Sequence, residues 1–207
     1  METNNFLVID DVFSEGVIDE LYRECLFHFD LNLLSSDSID ITKSIIDCHG
    51  LSLTKDKYFP YSVNCWNIFC LEVKSHVSSY IKSLGIDEYS LTPFSCFAER
   101  NVPTSKEGKY INDKISKVKD DDGQIIKQFI RSIYILKNTE PNAAVCVNER
   151  GVRTNDIKTP ENRLIVFDGT KYLSTQFYPC VNYYSKYCII FDWYINDPFD
   201  VPDWVLP

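Results

Sequence analysis

Histidine sets the tightest limit on the chemistry this chain could carry: His28, His49 and His76 are the only three, and none lies beyond residue 76. Imidazole is the usual proton carrier near neutral pH and a common ligand to iron and zinc. The eight cysteines (Cys25, Cys48, Cys65, Cys70, Cys96, Cys146, Cys180 and Cys188) include no Cys-x-x-Cys pair, and no histidine stands at zinc spacing from them. A zinc site begun by Cys48 and His49 would need a distant partner. Several of the thiols lie in apolar runs, where cysteine behaves as a small hydrophobe, so reduced buried thiols are expected rather than a disulfide framework. No Gly-x-Ser-x-Gly elbow, no thiol with a recognisable partner base and no glycine-rich phosphate loop is present. Asp10-Asp11 and Asp120 to Asp122 fall at an element boundary and at a turn, where solvated carboxylates are ordinary. Two basic residues beside apolar runs remain, Lys186 and Arg163, and their chemistry is the grip of a small carboxylate or a sugar rather than catalysis.

The elements that must position these residues lie between Arg131 and Trp193. Tyr187, Ile189, Phe191 and Trp193 alternate with Cys188, Ile190 and Asp192, a period of two rich in aromatic and β-branched residues. Both faces are largely apolar, which predicts a strand covered on both sides. Residues 131–138, 143–147 and 163–167 form three more short apolar runs, separated by turn-rich pieces that contain Pro141, Asn142, Gly151, Asn155 and Pro160. Upstream, 91–99 opens the β block, and 109–119 is expected to pair with 124–136 across the Asp120-Asp-Asp-Gly123 turn, a hairpin signal.

Before the strands come two amphipathic helices. Phe6 to Ile9 reads as a short buried strand, and Ser14 can cap a helix over 15–29 whose apolar face is Ile18, Leu21, Cys25, Leu26 and Phe29. Residues 30–47 are expected to be irregular, with a short strand. A second helix is predicted over 63–84, stopped by Gly85, burying Trp66, Phe69, Cys70, Val73, Val77, Tyr80 and Ile81. Helices first and an all-β block after is an α+β order. We expect one domain over 1–207: strand and helices in 1–90, a jelly-roll core in 91–195, and an extended tail in 196–207 whose Phe199, Trp204 and Leu206 are apolar enough to pack on something.

The formal charge of -9 and a pI near 4.8 argue against a nucleic-acid partner, because neutralising phosphates takes a concentrated basic face. Lysines do gather between Lys106 and Lys119, but Glu107, Asp113 and Asp120 to Asp122 interleave with or flank them. Neither a signal-like N-terminus nor an apolar run of membrane-spanning length occurs, so the expectation is a cytoplasmic chain without a membrane partner. Few alanines and glycines against many Ile, Lys, Asn, Asp, Ser and Tyr residues indicate an AT-rich coding sequence of the kind common in bacteriophages.

Five segments fall in a telling order: FLVIDDVFSEGVIDELYREC from Phe6, RSIYILKN from Arg131, Ala143-Ala144, Thr159 to Phe167, and PCVNYYSKY from Pro179. Together they resemble the 2-oxoglutarate- and iron(II)-dependent oxygenases, specifically the prolyl 4-hydroxylase-like branch. They match that family's entry strand and first helix, its strand ending in Tyr-Leu-Asn, its Gly-Gly pair, its Pro-x-x-Gly-x-x-x-x-Phe strand and its Pro-Val-x-x-Gly-x-Lys-Trp segment. The resemblance implies N-terminal helices packed on a double-stranded β-helix, the jelly-roll or cupin-like barrel. It further implies a metal held by a His-x-Asp pair and a distal histidine, and a basic residue in the barrel mouth gripping 2-oxoglutarate.

Carried onto this chain, the basic residue is Lys186, the distal histidine falls on or near Thr175, and the His-x-Asp place reads Gly108 to Ile115 with Asp113 the only carboxylate. Threonine and asparagine are poor substitutes for imidazole toward iron(II). The expectation is therefore a degenerate site with no metal, no cofactor and no catalytic residue, on a domain used for structure or for binding protein neighbours. The aromatic load, 13 Phe, 13 Tyr and 3 Trp, favours surfaces that meet partners. A phage virion part, such as a neck, tail or capsid-associated protein, or a homo-oligomer, is the concrete form of that expectation. The alternative is an active hydroxylase using Fe(II) and 2-oxoglutarate, with Asp113 and a histidine from the N-terminal half as unusual ligands.

Overall fold

The computed structural model describes residues 6–31, 38–40, 63–86, 89–101, 109–112, 129–139, 144–149, 152–169, 172–178 and 186–196. Strand β1 (Phe6–Ile9) leads into helix α1 (Glu15–Leu31), where the Ser14 carbonyl accepts the amide of Ile18 at 3.1 Å. A short strand, β2 (Ser38–Asp40), precedes α2 (Val63–Ser83), which stops at Gly85 in the left-handed conformation (φ 81°) that glycine adopts without strain. Eight strands follow: β3 (Ser90–Asn101), β4 (Lys109–Asn112), β5 (Phe129–Asn138), β6 (Ala144–Glu149), β7 (Val152–Lys158), β8 (Arg163–Asp168), β9 (Tyr172–Tyr178) and β10 (Lys186–Asn196).

The strands build two antiparallel sheets. One has six strands in the order β1-β8-β5-β10-β3-β2, the other four in the order β4-β9-β6-β7. Period-two alternation gives the larger sheet two apolar faces. Ile130, Tyr134 and Leu136 on β5, Leu164 and Val166 on β8, and Ile189, Phe191 and Trp193 on β10 pack with Leu21 and Cys25 of α1 and Phe69, Cys70, Val73, Val77 and Ile81 of α2. The intervening residues Ile133, Ile135, Ile165, Phe167, Cys188 and Ile190 form a second cluster on the other face, joined by Ile157 from β7 of the smaller sheet. β10 is therefore covered on both sides, as its doubly apolar sequence predicts. Cys25, Cys70 and Cys188 are buried and are not in a disulfide.

Two sequence expectations change. Residues 109–119 and 124–136 do not form a hairpin in the described strands: β4 pairs with β9 in the smaller sheet, while β5 lies between β8 and β10 in the larger one. Residues 152–158, read from their polar composition as turn-rich, form β7 and pair with β6. The turn at 120–123, the segment 179–185 and the tail beyond residue 196 lie outside the described residues. Among the described residues, no helix is long and apolar enough to cross a membrane.

Candidate functional site

Lys186 opens β10, in register with Asn138 at the end of β5 and Asn101 at the end of β3. Arg163 opens β8, in register with Ile135. Antiparallel pairing thus brings both predicted basic residues to one end of the larger sheet, with β5 between their strands. Arg163 is already occupied: its Nε and Nη2 hold the Asp10 carboxylate at 2.6 and 2.7 Å, and Nη1 donates to the Lys158 carbonyl at 2.8 Å. The hydrogen bond from Arg163 holds the Asp10 carboxyl below its ordinary pKa, and the same bond raises that of Arg163.

On the smaller sheet, register decides which residues share a face. One row across the four strands is Ile111, Gln176, Val145 and Ile157, and Ile157 packs against the core between the sheets. The adjacent row is Asn112, Thr175, Cys146 and Asp156, and Asp156 is exposed. Cross-strand partners lie on the same face and successive residues on opposite faces. Thr175 and Gln176 are successive residues of β9, in register with Cys146 and Val145, and Gln176 stands ten residues before Lys186. Asp113 follows the last residue of β4 and lies outside the described residues.

The histidines do not approach this region from the described elements. His76 Nε2 pairs with Glu72 Oε1 of the preceding turn at 3.1 Å, on a helix that packs on the opposite face of the larger sheet from Ile157. His28 belongs to α1, and His49 lies outside the described residues. Among the described residues no three His, Cys, Asp or Glu side chains come together in a way that could hold a metal ion. A triad of two imidazoles and a carboxylate does not fit the described donor set.

Sequence reasoning missed a buried ion pair on the inter-sheet face, Arg131 with Asp192, joined by two bonds of 2.7 Å. The one available signal was an aspartate inside a strand otherwise apolar on both faces. It also missed the clasp made by Asn162, whose Oδ1 accepts from the Phe13 amide at 2.9 Å and the Tyr134 hydroxyl at 3.0 Å while its Nδ2 donates to the Phe13 carbonyl at 2.8 Å. α1 is tied to the start of β10 by Tyr22, which meets Tyr187 edge to face with ring centroids 5.1 Å apart and carries the Lys137 ammonium 5.8 Å from its own ring centroid. Burial pushes the Tyr22 phenol above its ordinary pKa.

No family model matches this chain, and no curated protein does. Solved structures do. A viral collagen prolyl hydroxylase from Paramecium bursaria Chlorella virus-1 is 14% identical, covers 93% of this chain over 91% of its own, and superposes with a TM-score of 0.54. A Pseudomonas putida prolyl-4-hydroxylase is 10% identical, with coverage of 93% and 92% and a TM-score of 0.56. A Trichoplax adhaerens prolyl hydroxylase, solved with a hypoxia-inducible factor peptide, is 14% identical, with coverage of 94% and 84% and a TM-score of 0.55. The chain carries the fold of the prolyl 4-hydroxylase-like 2-oxoglutarate/iron(II) oxygenases, at low sequence identity to those structures.

Proposed function

We propose that this chain is a non-catalytic member of that structural class: a double-stranded β-helix with N-terminal helices that serves as a structural or protein-binding module. One observation carries the reading. From Leu91 to the last residue no histidine occurs, so the strands that would have to present two imidazoles to iron(II) supply none. Fold alone never establishes activity, and the same scaffold serves unrelated roles.

The aromatic content and the AT-rich composition support a protein neighbour in a larger assembly, and we read the chain as a virion component of a phage, at the neck, tail or capsid, or as a homo-oligomer. Its location is then the virion, or the cytoplasm where virions assemble. The test is metal analysis of protein purified with iron(II) present, combined with succinate release from 2-oxoglutarate. The expected result is sub-stoichiometric iron and no succinate above the protein-free rate; stoichiometric iron with steady succinate release overturns the proposal.

The share of this chain matched by prolyl hydroxylase structures, above nine-tenths in each case, favours a second reading: an active hydroxylase with Asp113 and an N-terminal histidine as ligands. That reading predicts that His49→Ala abolishes iron binding.

A further inference from the structure

Beside the end of the larger sheet where Lys186 starts its strand, the β7–β8 turn borders a cleft of about 450 Å³ lined by Asn138, Lys158, Pro160, Glu161 and Arg163. We propose that this cleft is a carboxylate-binding site with the Lys158 ammonium as its anchoring cation. The proposal needs neither a metal nor the non-catalytic reading.

Charge compensation within the cleft points to the anchor. Among the described lining residues Glu161 is the one acid, and it is spent: Oε2 pairs with Lys137 at 3.4 Å and Oε1 accepts the Asn138 amide at 3.2 Å. The Arg163 charge is spent on Asp10, with all three of its guanidinium nitrogens engaged. Lys158 is different. Its carbonyl takes a bond from Arg163, but no ion pair or hydrogen bond to its ammonium occurs among the described residues. Glu161 and Arg163 are thus each balanced by a partner of their own, and Lys158 leaves the described lining one positive charge in surplus, although the chain as a whole carries -9. A carboxylate entering there gains a charge-assisted bond without displacing an existing partner.

The walls are also fixed before any ligand arrives. Asn138 Nδ2 donates to both the carbonyl and the hydroxyl of Thr159, which is wholly buried. The next turn residue, Asn162, is held through its side chain to Phe13 and Tyr134 and through its amide to the Ile135 carbonyl at 2.8 Å. A preorganised wall lowers the ordering cost of binding. The volume suits a small molecule or a single acidic side chain rather than a folded surface.

Isothermal titration of the full chain with glutarate, and in parallel with a capped Gly-Glu-Gly peptide, tests the assignment. The expected result is saturable binding that weakens at least about tenfold in Lys158→Ala, is kept in Lys158→Arg, and is unchanged in Lys186→Ala. Glutarate binding alone identifies a free small carboxylate as the ligand, and peptide binding with the same Lys158 dependence identifies an acidic side chain of a partner; either supports the site. An unchanged melting temperature shows that Lys158→Ala is folded, as expected for an exposed side chain. The proposal is overturned if neither probe binds at millimolar concentration, if binding survives Lys158→Ala, or if Lys186→Ala rather than Lys158→Ala removes it. Failure here leaves the absence of succinate release untouched, so the two proposals fail separately.

Discussion

Arg131 and Asp192 are direct cross-strand partners on β5 and β10, joined side-on by two parallel bonds of 2.7 Å with the aspartate wholly buried. Alternation puts them on the face shared with Ile133, Ile135 and Ile190, so the ion pair stands beside the apolar cluster those residues form. In low dielectric such a pair returns little net stability, but removing one member strands the other. Asp192→Ala should therefore cost about 3–5 kcal/mol in urea unfolding, whereas the double change Arg131→Met with Asp192→Leu should recover most of that loss. A double variant as unstable as the single one would mean that the pair contributes more than it costs to bury.

That pair also marks what the sequence could and could not reveal. Periodicity and capping placed α1, α2 and the apolar strands well, because burial writes alternation directly into residues such as Tyr187 to Trp193. Partner choice is long-range and leaves no local trace. The Asp-Gly signal at residues 122 and 123 suggested a hairpin, yet β4 and β5 belong to different sheets. β7, VRTNDIK, is a strand at the edge of the smaller sheet and too polar to announce itself. At the candidate site counting reached the neighbourhood of Thr175 and no further, because a period of two turns a one-residue shift into the opposite face.

Asn162 sits at φ 60°, in the left-handed region, in the turn that enters β8. Its side chain makes the clasp on Phe13 and Tyr134. Asn162→Gly, which keeps the conformation and loses the clasp, should cost about 1–3 kcal/mol by denaturant titration. Asn162→Ala should cost about 1 kcal/mol more, from the left-handed backbone of a residue with a Cβ. Equal losses would rule out the conformational part.

Two carboxyls should move stability in opposite directions as pH changes. Asp10, held low chiefly by its hydrogen bond from Arg163, contributes stability that is present above the unfolded pKa of 3.8 and is lost as pH falls through its lower folded value. Asp10→Asn should remove less than about 1 kcal/mol at pH 7, because the carboxylate is exposed and screened, and should leave stability in strong acid unchanged.

Glu24 has the reverse sign. Burial on α1, with the nearby charge of Glu20 adding to it, raises the Glu24 pKa above 4.5. Its folded form therefore binds protons more readily than the unfolded chain, and stability falls as pH rises from 4.5 through the folded value. Glu24→Gln should raise the melting temperature at pH 7, by an amount equivalent to less than about 1 kcal/mol given its partial contact with solvent, and change little at pH 4. A gain of the same size at both values would point to altered packing instead.

Among the described glycines, Gly169 has the least room for a side chain. Its amide donates to the Phe129 carbonyl at 2.9 Å, which draws the end of β8 against the start of β5, and a Cβ built there would lie 2.2 Å from Cε2 of the Phe129 ring. The ring is nearly buried, and the Arg131 guanidinium stands 5.8 Å from its centroid. Gly169→Ala must therefore displace the ring or part the strands, at a cost of about 1–3 kcal/mol. Combining it with Phe129→Leu should cost less than the sum of the two single changes, because the smaller side chain vacates the space the new methyl needs. Additive losses would show that the penalty comes from the strand backbone and not from the ring.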